Sequence, residues 1–150
     1  MGKIMALVLA AGYSSRMKRN KMLLPFGEGT VIENTVQRFF QAQVNGVAVV
    51  VGHQQEEIRQ ALASYPVQFI ENPHFPEGMS SSVKAGIKVL GEDPQVDGVM
   101  IIPGDMPLVK KETVCAVREK FRESFSPVII PVYEGKKGHP VYFARTLFRR

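Results

Sequence analysis

Ile4-Met5-Ala6-Leu7-Val8-Leu9 runs without a polar residue into Ala10-Ala11-Gly12-Tyr13-Ser14-Ser15-Arg16-Met17-Lys18-Arg19-Asn20-Lys21-Met22-Leu23-Leu24-Pro25. A short apolar run that stops at small residues predicts a buried strand followed by a tight turn. With no bulky side chains at Ala10, Ala11 and Gly12, backbone N–H groups can approach a phosphate or a base edge, and Gly12 can take the positive φ such a turn often needs. Arg16 and Lys21 place fixed positive charge nearby. The combination suits a nucleoside triphosphate. Neither common phosphate loop is present, because Gly-x-x-x-x-Gly-Lys-Ser/Thr and Gly-x-Gly-x-x-Gly are both missing after this strand. The plain alternative is a strand followed by an ordinary basic surface loop.

Further along, Thr30-Val31-Ile32-Glu33 predicts a helix N-terminus, with Thr30 as cap and Glu33 reaching back. Ile32, Val36, Phe39 and Phe40 form its buried stripe. Val47 to Val51 predicts a second strand, Glu56 to Ala63 a short helix, and Val67 to Ile70 a third strand. The alternation β, α, β, α, β argues for an α/β fold with a parallel sheet and right-handed crossovers. Glu71 to Ser82 then breaks the rhythm with Asn72-Pro73-His74-Phe75-Pro76-Glu77-Gly78, a segment rich in turn formers that predicts a functional loop. A helix carrying Val83, Ile87 and Leu90 follows, which Ser80, Ser81 or Ser82 can cap.

The second chemical signal follows a predicted fourth strand, Val99 to Ile102: Pro103-Gly104-Asp105-Met106-Pro107. In an open α/β sheet, ligands sit at the carboxyl ends of the strands, so Asp105 is placed to face the same crevice as the first turn. A lone Asp in a turn also has a purely structural use, bonding to nearby backbone. Lys110 to Phe121 predicts a helix with Val114, Val117 and Phe121 inward. Val128 to Val132 predicts a fifth strand, and Tyr133 to Phe143 a hairpin-like return that makes the sheet mixed at one edge. His139 has no partners at metal-ligand spacing and is open to two uses, turn residue or ligand contact.

A chain of 150 residues, 45% hydrophobic, is expected to form a single domain. Its formal charge of +5 favours polyanionic partners. Apart from the cluster Arg16 to Lys21, however, the basic residues are scattered among acids, and no basic, aromatic-rich strip suggests nucleic-acid binding. Cys115, the single cysteine, excludes an intrachain disulfide and reads as a buried structural thiol of a cytoplasmic protein. No run has membrane-spanning length.

Leu-Ala-Ala-Gly-x-Ser-x-Arg-Met, then Lys21 and Leu24-Pro25, together with Gly-Asp-Met-Pro at 104–107, resembles the MobA-like nucleotidyltransferases, and among them the molybdenum cofactor cytidylyltransferases. Lys18 stands where the family usually has Gly. The resemblance implies a Rossmann-like three-layer sandwich of the nucleotide-diphospho-sugar transferase type, with a mostly parallel sheet and helices on both faces. It implies Leu9, Ala10, Ala11, Gly12, Ser14, Gly78 and Ser82 as nucleotide-binding residues, with Ser82-Val83-x-x-Gly86 at the base. Arg16, Lys21 and Asp105 are the implied catalytic residues, Asp105 holding Mg²⁺ and His139 on the acceptor side. The implied reaction moves CMP from CTP to the terminal phosphate of molybdopterin cofactor, with a molybdoenzyme or its chaperone as the eventual acceptor of the product. Family members continue with further elements, including a late Asp-x-Asp-like metal ligand, so the resemblance covers the front part of their domain. Ala11, where guanylyl-transferring relatives tend to carry Gly, is compatible with the smaller pyrimidine. Guanylyl transfer to the same cofactor, a sugar- or alcohol-phosphate acceptor, and a non-catalytic nucleotide-binding protein are the alternatives.

Overall fold

The computed structural model describes residues 2–12 and 20–148. Among these residues, eight strands and four α-helices follow one another: β1 (Lys3–Ala10), α1 (Val31–Gln41), β2 (Gly46–Val51), α2 (Gln55–Ala61), β3 (Gln68–Glu71), α3 (Met79–Leu90), β4 (Val96–Pro103), α4 (Lys111–Ser124), β5 (Val128–Ile129), β6 (Val132–Tyr133), β7 (Lys136–Lys137) and β8 (Val141–Ala144). Six of the strands form one sheet in the order β3-β2-β1-β4-β8-β5. The pairings of β1 with β2 and β4, and of β2 with β3, are parallel. β8 runs antiparallel to both β4 and β5. The mixed character is therefore one strand in from the edge, because β8 inserts between β4 and β5.

Burial on both faces explains why β1 is apolar at every position after Lys3. Ile4, Ala6, Val8 and Ala10 pack into the core under α1, α2 and α4, with Ile32, Val36, Phe39, Ile58 and Val114. Leu7, Leu9 and Ala11 point the other way, toward α3 and its Leu90. Successive strand residues face opposite sides, so a strand sandwiched between helix layers has no polar face. The expected three-layer sandwich is what this packing builds. Gly86 lets α3 lie close on the sheet: a Cβ there would meet the Leu7 side chain at 2.5 Å.

Several boundaries and burials differ from expectation. The Thr30–Glu33 capping box is present, but Phe40 is only partly buried and stacks on Tyr65 at 6.2 Å. Helix α3 starts at Met79, with Gly78 as N-cap and no side-chain cap, so none of the three serines caps it. Pro131, which cannot donate to a ladder, separates β5 from β6, and β6 pairs with β7 in a small second sheet. Cys115 is half-buried rather than sealed in the core, and Arg118 donates to its Sγ at 3.7 Å.

Tyr142 on β8 is fully buried against Phe121, ring centroids 4.6 Å apart, yet its hydroxyl has no hydrogen-bond partner among the described residues. Burial, with the nearby Asp97 carboxylate as the lesser cause, pushes the phenol well above its ordinary value of 10.0. Tyr142→Phe is therefore expected to stabilise the fold by about 1 kcal/mol, because an orphaned buried hydroxyl carries its desolvation cost uncompensated. The sign with pH follows from linkage. Above pH ~10 the unfolded chain loses the phenolic proton while the folded chain keeps it, so wild-type stability falls as pH rises there. Urea titrations of both proteins at neutral and alkaline pH check this. A less stable Phe variant, or an alkaline loss of equal size in both proteins, would contradict it.

Candidate active site at the carboxyl ends of β1 and β4

The chain runs β1, β2, β3 toward one edge of the sheet and then returns to place β4 on the other side of β1. Such a reversal leaves a crevice at the carboxyl ends of the two central strands. Leu9 pairs with Pro103 in register, and the Gly104 N–H donates to the Leu9 carbonyl at 2.9 Å. The turn after β1 and the acidic corner after β4 are thus hydrogen-bonded to each other. Thr35, fully buried on α1, fixes the corner from below, its hydroxyl donating to the Gly104 carbonyl at 2.8 Å. Gly104 leaves no room for a side chain: a Cβ would meet Ile32 at 2.6 Å and the Met22 sulfur at 3.0 Å.

These contacts frame a cleft of about 440 Å³, walled by Leu9, Gly12, Met22, Phe75, Gly78 and Ser82 among others, with Asp105 at its edge. That size lies in the usual range for small-molecule sites. Of the sequence-predicted residues, Leu9, Gly12, Gly78, Ser82 and Asp105 are brought together here. Ala10 ends β1 and Ala11 follows it, but their side chains belong to the two cores, so the Ala11 methyl does not form part of the cleft wall. Any discrimination by Ala11 between pyrimidine and purine would have to act through the backbone. Lys21 opens a 3-10 turn, Lys21–Leu23, that carries Met22 into the wall, while Lys21 itself is exposed at the margin. Ser14 and Arg16 lie outside the described residues.

Gly78 has φ +104°, a conformation that side chains rarely adopt, and among the described residues no atom beyond its chain neighbours lies within 4 Å of where its Cβ would be. The same holds, among the described residues, for the space beside Gly12. Both positions allow a ligand to approach the backbone closely. Phe75 and Pro76 supply an apolar wall, with His53 packed on Phe75 at 5.9 Å between ring centroids.

Asp105 is shared with a second cavity of about 790 Å³, lined by Leu108, Lys110, Thr113, Tyr133 and His139 among others. An acid between two cavities can serve a reaction whose substrates enter from either side. Its carboxylate is exposed and takes no hydrogen bond or ion pair among the described residues. Among the described residues, no group of three or more His, Cys, Asp or Glu could form an all-protein metal cage. One carboxylate exposed at a cleft of this volume, and unpaired among the described residues, nevertheless fits Mg²⁺, which is usually held by one or two carboxylates plus substrate phosphates and water.

Two contributors went unmarked in the sequence. Thr35 looks like any helical threonine, and its role follows only from which loop lies above it. Asn72 was read as part of a turn, although Asn-Pro at the end of a strand hints at a side chain that organises the loop.

The description "MobA-like NTP transferase domain" matches residues 6–150. The chain is 28% identical to the molybdenum cofactor cytidylyltransferase of Escherichia coli K12, over 97% of this chain and 72% of that protein. It is 36% identical to a bifunctional protein GlmU of Synechococcus, over 77% of this chain but only 18% of that much longer protein. The crystal structure of Rv0371c from Mycobacterium tuberculosis H37Rv superposes with a TM-score of 0.87 at 26% identity, covering 99% of this chain and 74% of that one. The same mycobacterial protein has also been crystallised in complex with manganese. No helix among the described residues is long and apolar enough to cross a membrane.

Proposed function

The chain belongs to the MobA-like NTP transferase family, and from that premise we propose that it transfers CMP from CTP to the terminal phosphate of molybdopterin cofactor, releasing pyrophosphate. The carrying observation is the convergence of the β1 turn and Asp105 on one cleft, with a second cavity on the far side of the same acid. The choice of nucleotide and acceptor draws on the similarity to the Escherichia coli cytidylyltransferase.

In this reaction an oxygen of the acceptor phosphate attacks the α-phosphorus of CTP. A bond forms there as the bond from the α-phosphorus to the bridging oxygen of pyrophosphate breaks. A phosphate monoester is already nucleophilic, so the protein need not provide a serine or cysteine nucleophile. Its contribution is alignment and charge neutralisation. Gly12 and Gly78 let the nucleotide lie against the backbone, Ser82 meets the base, and Arg16 and Lys21 neutralise the α-phosphate and the departing pyrophosphate. Asp105 would hold Mg²⁺, and the manganese complex of the mycobacterial relative is in keeping with a divalent cation here. When bound, the ion supplies Lewis-acid stabilisation of the charge developing on the phosphate oxygens. His139, Lys110 and Tyr133 line the side assigned to the acceptor.

The test is pyrophosphate release with each nucleoside triphosphate, Mg²⁺ and molybdopterin cofactor, beside calorimetric binding of CTP and GTP. Release with CTP alone among the nucleotides is expected. A clear GTP preference would overturn the cytidylyl assignment. Release with a sugar phosphate, but not with the cofactor, would favour the second reading suggested by the likeness to GlmU.

A further inference from the structure

Asn72, directly after β3, is 2% exposed and connects three parts of the loop that walls the cleft. Its Oδ1 accepts from the backbone N–H of His74 at 3.0 Å. Its Nδ2 donates to the Ser81 and Ser82 hydroxyls, each at 3.0 Å. A backbone N–H can only donate, so the atom facing His74 must be the amide oxygen, and both amide protons point to the serines. Ser81 passes its own proton back to the loop, onto the carbonyls of Gly78 at 2.7 Å and His74 at 3.0 Å. Ser82 differs. It is 4% exposed, lines the cleft, accepts a hydrogen bond from Asn72, and has no acceptor for its own O–H among the described residues.

We propose that Asn72 is a positioning residue that makes the Ser82 hydroxyl a fixed hydrogen-bond donor into the cleft, so that the site selects a nucleobase offering a lone pair there. The inference rests on the proposed function in taking Ser82 as a base contact. Cytosine offers such lone pairs at its ring nitrogen N3 and carbonyl O2. Because the Asn72 amide occupies one lone pair of the serine oxygen, the O–H is directed away from Asn72, and the ligand meets a donor that is already oriented.

Asn72→Asp tests the polarity with little change of shape. A carboxylate in that place still accepts from His74 but takes the Ser82 proton, leaving oxygen lone pairs toward the cleft. Three nearby donors and the N-terminus of α3 can accommodate its charge. Calorimetric Kd for CTP is expected to weaken about tenfold or more in Asn72→Asp and in Ser82→Ala, with kcat changed far less than KM. Adding Asn72→Asp to Ser82→Ala should cost less than about twofold further, because the hydroxyl through which Asn72 acts is already gone. Equal losses in both backgrounds would make Asn72 a purely structural tether and overturn the proposal. So would unchanged CTP affinity in either single variant. If Asn72→Asp does not fold, as read by melting temperature, Asn72→Ala replaces it in both the wild-type and Ser82→Ala backgrounds and is read in the same way. A wild-type chain that does not bind CTP would instead remove the proposed function, and this inference with it.

Discussion

Asp105→Asn is expected to lower pyrophosphate release from CTP by about 100-fold or more while leaving the melting temperature close to that of the wild type. The two halves of this expectation have separate causes. The carboxylate is exposed and makes no hydrogen bond or ion pair among the described residues, so removing its charge breaks no described contact. The corner that carries it is fixed through backbone atoms instead, by Gly104 to Leu9 and Thr35 to Gly104. Substitutions at such surface positions usually change stability by less than about 0.5 kcal/mol. Catalysis is another matter, because an amide is a poor ligand for Mg²⁺, and losing one preorganised electrostatic partner of the transferring phosphate costs on the order of 10²–10³-fold. Steady-state rates over a Mg²⁺ titration, with a thermal melt of each protein, measure both halves. Near-normal turnover at moderate Mg²⁺ would falsify the metal-holding role of Asp105.

Lys21→Ala should lose about 100-fold in kcat/KM for CTP, again without loss of fold. Lys21 begins the 3-10 turn whose entry is capped by Asn20, the Asn20 Oδ1 accepting from Met22 N at 3.0 Å. The turn sets Met22 into the cleft wall and leaves the Lys21 ammonium exposed at the rim with no salt bridge among the described residues. An ammonium not committed to a carboxylate is available to a triphosphate. Because the charge is solvent-exposed, salt should screen it, so raising ionic strength should slow the wild type more than the alanine variant. Lys21→Arg keeps the charge but changes its shape and reach, and is expected to recover part of the rate. A variant with wild-type kcat/KM at low salt would show that Lys21 belongs to the solvated surface.

Much of the fold was legible because β1, β2 and β4 are buried on both faces. Ile4–Leu9, Val47–Val51 and Val99–Ile102 are apolar at every position, which separates them from the helices with their 3.6-residue stripe, as at Ile32, Val36 and Phe39. The capping box at Thr30 and Glu33 was legible because it is a local exchange of hydrogen bonds. The start of α3 was not. Three consecutive serines looked like caps, but Gly78, with its positive φ, turns the chain into a helix that starts at Met79, ahead of all three. Val128–Val132 read as one strand, yet it divides at Pro131 because its second part finds its partner in β7 instead of in the main sheet.

For the site, the same division between local and long-range interactions applies. By itself the sequence determined which residue types could meet a triphosphate: small residues after β1, glycine at 78, an acid after β4. Local composition sets how closely a backbone can be approached and where a charge is available. Only the tertiary structure decided that Leu9 and Gly104 share a hydrogen bond, that Asp105 lines two cavities, that Ala11 turns into the core, and that Asn72 donates to the Ser82 hydroxyl. Those outcomes depend on sheet order and register, which arise when the sheet faces are packed against helices from distant parts of the chain, and no short-range pattern encodes them.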